Sequence, residues 1–147
     1  MRRMRLLLTA GPTREYLDPV RFLSNASSGK LGYAIAAAAA KRGHAVELIS
    51  GPVELQPPRG VKVTHVVTSQ EMFQAASSIF PRCDAAIMAA AVCDYRPAKR
   101  STKKLKKTGD ALTVTFRPTQ DIAAHLGRRS EERRVGKECT SWCRSRW

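Results

Sequence analysis

The chain has 147 residues, with 26 Lys or Arg against 12 Asp or Glu, for a formal charge of +14. That length suits one domain with a real core, and 43% hydrophobic with 26% charged residues excludes a disordered or collagen-like chain. No apolar run reaches the length of a bilayer-spanning helix, so no membrane partner is expected. The basic start and the short apolar run after it superficially resemble a signal peptide, but Gly11-Pro12 interrupts the run too early. Residues 5–10 therefore read as a first buried strand, and the protein as cytoplasmic.

A polar loop is expected over residues 13–28. Residues 29–42 follow as a helix, because a run of Ala dominates them and Gly43 sits just past Lys41-Arg42 as a stop signal. Residues 45–50 and 61–68 read as strands, the first ended by Gly51-Pro52. Thr68 or Ser69, with Glu71 behind it, starts a helix over residues 71–80 that Pro81 ends. Residues 84–92 are almost uniformly apolar, as a central parallel strand buried on both faces would be. Residues 112–116 alternate as a strand, and Thr119-Gln120-Asp121 caps a last helix through Leu126. Strands alternating with helices over short connections imply an α/β fold, a Rossmann-like, doubly wound, mostly parallel sheet.

The last stretch breaks this order. Residues 129–147 show no helical or strand period, and residues 129–139 resemble an in-frame translation of a sequencing-library adapter. We therefore divide the chain into residues 1–128, the α/β part, and residues 129–147, a non-native tail left out of fold reasoning. The Cys139 and Cys143 pair has no second pair or His at zinc spacing. Cys83 and Cys93 read as reduced core residues of a cytosolic protein, and no metal ligand set is expected.

In doubly wound sheets ligands bind beyond the C-terminal ends of the strands. The first loop reaches a helix start through Ser27-Ser28-Gly29-Lys30-Leu31-Gly32, where unpaired N–H groups, glycines and a lysine suit a phosphate. Ser24 and Leu31 stand where a P-loop has its first Gly and its Ser/Thr, so this is not that motif. Phosphate binding and an ordinary helix cap with small packing residues both fit. Asn25 reads either as a turn residue or as an amide that orients a reacting carbonyl. Asp94, at the end of the apolar strand, suits a ribose hydroxyl, a divalent ion or a cap.

Beyond it Arg96, Lys99, Arg100, Lys103, Lys104, Lys106 and Lys107 follow with no acid among them. This basic loop, residues 96–107, could be a solvated face, a clamp over a nucleoside triphosphate, or part of a non-catalytic nucleotide- or nucleic-acid-binding module. An aromatic content of 6% argues against base stacking and so against nucleic acid. His44, His65 and His125 are scattered, with no nucleophile nearby in sequence.

The run from Thr9 to Gly32 (TAGPTREYLDPVRFLSNASSGKLG) resembles the opening of bacterial phosphopantothenate–cysteine ligases, often fused behind a flavin-dependent phosphopantothenoylcysteine decarboxylase. AAAVCDYRP ending at Pro97, KLKK from Lys104 to Lys107, and PTQDI from Pro118 to Ile122 match further family segments in order. The resemblance implies ligation of 4′-phosphopantothenate to cysteine with CTP and Mg2+, through an acyl-cytidylate, in coenzyme A biosynthesis. FMN is implied only where the decarboxylase is fused, and a homodimer is implied as the assembly.

By the same resemblance Ser27, Gly29 and Gly32 would hold the substrate phosphate, and Asn25 would promote conversion of the acyl-cytidylate. Met88, Ala89, Ala90, Asp94 and Lys104 would bind the nucleotide, Ala90 and Ala91 would line the substrate pocket, and Lys104 would also stabilise charge during cytidylate formation. The family domain continues with further strands and a Gly-Phe-Ala-Ala-Glu-Thr-like segment not found here, so the sheet is expected to be incomplete at its C-terminal end. A fragment of this kind is expected to lack activity if that segment completes the nucleotide site. A nicotinamide reductase is disfavoured, lacking both the early Gly-rich turn and a Tyr-x-x-x-Lys pair.

Overall fold

A computed structural model describes residues 2–131. Leucine builds the centre: in β1 (Arg5–Ala10) every residue after Arg5 is buried, because both faces of the strand are covered. It pairs in parallel with β4 (Ala45–Ser50) on one side and β6 (Ala85–Met88) on the other. β5 (Val61–His65) adds to β4, giving the order β5-β4-β1-β6. Alternation then sorts side chains by face. Leu6, Leu8, Ala10, Val46 and Leu48 meet Tyr33, Ala36 and Ala39 of α1 (Lys30–Lys41). Leu7 and Ile49 meet Met72, Ala76 and Ile79 of α2 (Ser69–Ile79), together with Ile122 and Leu126 of α3 (Ile122–Glu131). Helices on both faces of a parallel sheet make the fold doubly wound, as expected.

The small residues of α1 let it approach the sheet closely. A Cβ added at Gly32 would lie 2.5 Å from the Ala10 Cβ and 3.2 Å from the Thr9 carbonyl oxygen. Gly32→Ala is therefore expected to push α1 off β1 and to destabilise the protein by about 1–3 kcal/mol, the usual cost of overpacking. Urea unfolding followed by circular dichroism checks this, and an unchanged midpoint would refute the close approach. α2 starts as its residues predict: Thr68 accepts the Glu71 N–H at 3.2 Å, and Glu71 reaches back to the Val67 N–H at 2.7 Å.

Several expectations are corrected. The loop over residues 13–28 contains a hairpin, β2 (Arg14–Tyr16) paired antiparallel with β3 (Phe22–Ser24). Strands of three residues are too short for a periodicity to reveal. The apolar run at residues 84–92 is strand only in β6, and among the described residues β6 pairs with β1 alone. Its residues are half-buried, and it is the last strand of this sheet among the described residues. After Met88 the chain follows the end of β1, with Ala89 N–H donating to Thr9 and Ala91 N–H to Gly11. β5 stops at His65, short of residue 68. The alternation at residues 112–116 lies mostly on a loop, with Leu112 61% exposed, and pairing begins only in β8 (Phe116–Pro118), antiparallel to β7 (Tyr95–Pro97). α3 runs on through Glu131, past Leu126. Most of the segment read as a tail, with Cys139 and Cys143, lies outside the described residues.

Candidate active site

The strand order reverses between β1 and β6, and in sheets of this kind that is where a crevice opens beyond the strand ends. A cleft of about 550 Å³ lies there. Thr9 from β1, Met88 and Ala90 from the β6 side, Asp94, and Thr119 to Asp121 before α3 line it. The Thr9 hydroxyl accepts the Ala90 N–H at 3.3 Å, joining the two strand ends. Thr119 donates its hydroxyl to the Cys93 carbonyl at 2.6 Å and its N–H to the Asp94 carbonyl at 2.8 Å. Asp121 caps α3 by accepting the Ala124 N–H at 2.8 Å. The cleft thus sits at a helix N-terminus, where the helix dipole favours an anion. Asp94 is exposed at its rim. Thr9 and the residues 119–121 are cleft residues that sequence reasoning did not single out as a site, although the capping signal at Asp121 marked the helix start that forms one wall.

Ala89 and Ala91 alternate away from this cleft. Ala91 faces the first loop instead, and its carbonyl accepts the Thr13 N–H and the Asn25 side-chain amide at 3.2 Å. The same amide donates to the Val92 carbonyl at 3.0 Å. Asn25 is thereby more than a turn residue, since it ties the loop before α1 to the loop after β6.

A second cleft, of about 440 Å³, opens at the start of α1 between Ser27, Ser28 and Lys30 on one side and residues 52–55 on the other. No side chain caps α1, and no acid lies in its first turn. Gly29 has φ 72°, a left-handed conformation that lets the chain turn into the helix, and a Cβ there would meet Val53 at 2.9 Å. Ser27 stands at the cleft, whereas Gly32 is buried against Ala10, so its missing side chain serves helix–strand packing.

Lys104 is exposed, as are Lys103, Lys106 and Lys107, and it does not line the strand-end cleft. The structure brings Met88, Ala90 and Asp94 together, places Ser27 and Gly29 at the neighbouring helix start, and leaves Lys104 on a separate loop. Among the described residues no group of three or more His, Cys, Asp or Glu could hold a metal ion. Both Cys83 and Cys93 are buried free thiols. Burial pushes each thiol above its ordinary pKa, and at Cys93 the charges of Glu15 and Asp94 push the same way against a hydrogen bond to Thr13. Neither is an activated nucleophile. His44 accepts the Met4 N–H through Nδ1, and His125 packs on Phe73 with ring centres 4.7 Å apart, so both have structural work.

The family described as the DNA/pantothenate metabolism flavoprotein C-terminal domain matches residues 1–137. The chain is 45% identical over 132 residues to a protein named cysteine/cysteine sulfinic acid decarboxylase from an unknown prokaryotic organism, covering 89% of this chain and 37% of that protein. It is 46% identical over 130 residues to the coenzyme A biosynthesis bifunctional protein CoaBC of Vibrio parahaemolyticus serotype O3:K6, covering 87% of this chain and 33% of that protein. The crystal structure of the C-terminal domain of a coenzyme A biosynthesis bifunctional protein CoaBC superposes with a TM-score of 0.74 at 43% identity, covering 84% of this chain and 58% of that one. The chain spans about a third of the length of these curated relatives. No helix among the described residues is long and apolar enough to cross a membrane.

Proposed function

The chain belongs to the DNA/pantothenate metabolism flavoprotein C-terminal domain family, and on that premise we propose that it serves coenzyme A biosynthesis by ligating 4′-phosphopantothenate to cysteine at the expense of CTP. The observation that carries this reading is the bond of the Asn25 amide to the Ala91 and Val92 carbonyls. It makes one site of a helix start suited to a phosphate and a strand-end cleft suited to a nucleotide. A reaction that joins a phosphorylated acid to a nucleotide needs both beside each other.

In the first step the carboxylate of 4′-phosphopantothenate attacks the α-phosphorus of CTP. The new P–O bond forms as the bond to pyrophosphate breaks. In the second step the cysteine amine attacks the acyl carbon, the C–O bond to CMP breaks, and the amine proton passes to solvent as the amide forms. Ser27, Gly29 and the α1 N–H groups hold the substrate phosphate at the second cleft, and Gly32 lets α1 lie close enough to β1 to aim them. Met88 and Ala90 shape the nucleotide side, with Ala89 between them contributing its backbone, Ala90 and Ala91 lead to the substrate side, and Asp94 binds the nucleotide at the rim. Mg2+ would neutralise triphosphate charge, and with only Asp94 and the cap residue Asp121 as carboxylates at the cleft it would arrive on the triphosphate and keep most of its water, as that ion commonly does. Lys104 supports charge on the phosphates by extending its side chain towards the cleft from its own loop. A second copy of the chain is the proposed partner.

Mixing the protein with CTP and Mg2+ is expected to release pyrophosphate only when 4′-phosphopantothenate is present, with or without cysteine. Adding cysteine should then yield phosphopantothenoylcysteine by mass spectrometry. Pyrophosphate release indifferent to 4′-phosphopantothenate would overturn the reading, as would steeply salt-dependent binding to DNA or RNA with no preference for CTP.

A further inference from the structure

Asp18 carries a full set of unlike partners for a carboxylate with no solvent exposure. Oδ1 accepts the N–H groups of Val20 at 2.8 Å and Arg21 at 2.7 Å, which closes the turn between β2 and β3. Oδ2 instead reaches across 87 residues to the Leu105 N–H at 3.1 Å. The Arg21 guanidinium lies 3.7 Å from Oδ2 and donates to the Leu105 carbonyl at 2.7 Å. Leu105 is thus held at both its N–H and its carbonyl, and a further bond from Ser101 N–H to the Leu17 carbonyl, 2.8 Å, fastens the same loop. Burial of a carboxylate is costly unless its oxygens are satisfied, so this arrangement demands a defined position of the basic loop. Burial works to raise the Asp18 pKa, but the three backbone N–H groups and the Arg21 charge outweigh it and hold the group below its ordinary value.

We propose that Asp18 is a positioning residue for Lys104: its carboxylate latches Leu105, the next residue, to the hairpin that leads into Asn25. The inference rests on the reading of Lys104 given above. The chain that carries Asn25 and the chain that carries Lys104 are thereby referred to one another through a single buried group. A turn-capping role alone would need only Oδ1. The second oxygen, aimed at a loop far along the chain, is what distinguishes a latch.

Asp18→Asn separates the two roles. The amide keeps a carbonyl oxygen for Val20 and Arg21 but turns an NH2 group towards the Leu105 N–H and the Arg21 guanidinium. Exchange of the Leu105 amide with deuterated solvent is expected to quicken about 10- to 100-fold, the population change that goes with losing one charge-assisted hydrogen bond. Pyrophosphate release should slow by a similar factor, while 4′-phosphopantothenate binding measured by calorimetry stays at the wild-type affinity. Leu105→Pro removes the donor from the other side. It should reproduce the slowed release and raise trypsin cleavage across residues 99–107, and the double variant should be no slower than either single one. If Asp18→Asn does not fold, Leu105→Pro with the calorimetry decides the matter alone. Unchanged exchange at Leu105 would show that no latch exists. Faster exchange with wild-type pyrophosphate release would show that the latch positions nothing needed for the reaction. Absence of release from the wild-type protein would defeat the ligase reading itself, leaving the exchange measurement to support or overturn the latch.

Discussion

Asn25→Asp is expected to stop the proposed reaction after its first step. In the structure the Asn25 NH2 group donates to the carbonyls of Ala91 and Val92. An aspartate has no donor for them, and its carboxylate would face two carbonyl oxygens. Both bonds are lost and a repulsion takes their place in the free protein, while bound 4′-phosphopantothenate and CTP span the two loops for the first step. The substitution is nearly isosteric, and Asn25 is exposed, so the core should stay intact. The acyl-cytidylate should accumulate, because the amide that would turn from the Ala91 and Val92 carbonyls to steady charge on its acyl oxygen is gone. Removal of one such donor typically slows the chemical step by about 100- to 1000-fold. Rapid quenching with separation of nucleotides should show a first turnover of pyrophosphate near the wild-type amount and a delayed release of CMP. Amide formation at the wild-type rate would remove Asn25 from the mechanism. Loss of the pyrophosphate burst as well would mean that the residue acts by holding the two loops together.

Lys104→Gln should act on the other half. The glutamine keeps most of the side chain's length but none of its charge, and Lys104 is exposed, so the fold should be unaffected. Charge builds on the phosphates as pyrophosphate leaves, and a lysine placed there lowers the barrier by electrostatic stabilisation. Its loss is expected to slow pyrophosphate release by about 100- to 1000-fold. Lys107→Gln supplies the comparison. It removes the same charge from the same loop, so if the loop merely steers anions the two variants should lose rate alike and recover alike with salt. A much larger loss at Lys104 that salt does not mimic would identify a specific contact. Equal small losses would return Lys104 to the solvated basic face.

The two variants differ in how their sites could be read. The helix start at Lys30, the Ala run of α1 and the capping residues Thr68 and Glu71 were legible because each depends on neighbours within a turn or two. The apolar run before Cys93 was legible as strand, but not how much of it would pair. Only Ala85–Met88 form the strand, because beyond Met88 the chain follows the end of β1, and residues 84–92 say nothing of that. The hairpin of β2 and β3 was invisible for a related reason, since three-residue strands carry too little pattern and their turn depends on the Asp18 carboxylate. Gly32 illustrates a mixed outcome. Its type suited either an anion's approach or close packing, and the position of Ala10 across the interface shows that packing by itself already requires a glycine there.

By itself, then, the order of residues determined that this chain alternates parallel strands with helices, where its first helix begins, and which segments carry Asn25, Asp94 and Lys104. Hydrophobic period, helix capping and turn chemistry act over a few residues, so they are written locally. Tertiary structure alone decided that Thr9 and the start of α3 share a cleft with Met88 and Asp94, that Asn25 bonds Ala91 and Val92, and that Asp18 holds Leu105. Those partners lie from 66 to 87 residues apart along the chain for the bonds of Asn25 and Asp18. Such contacts form only after the sheet has brought the strand ends to one edge, and the chain's local preferences contain no record of which groups will meet there.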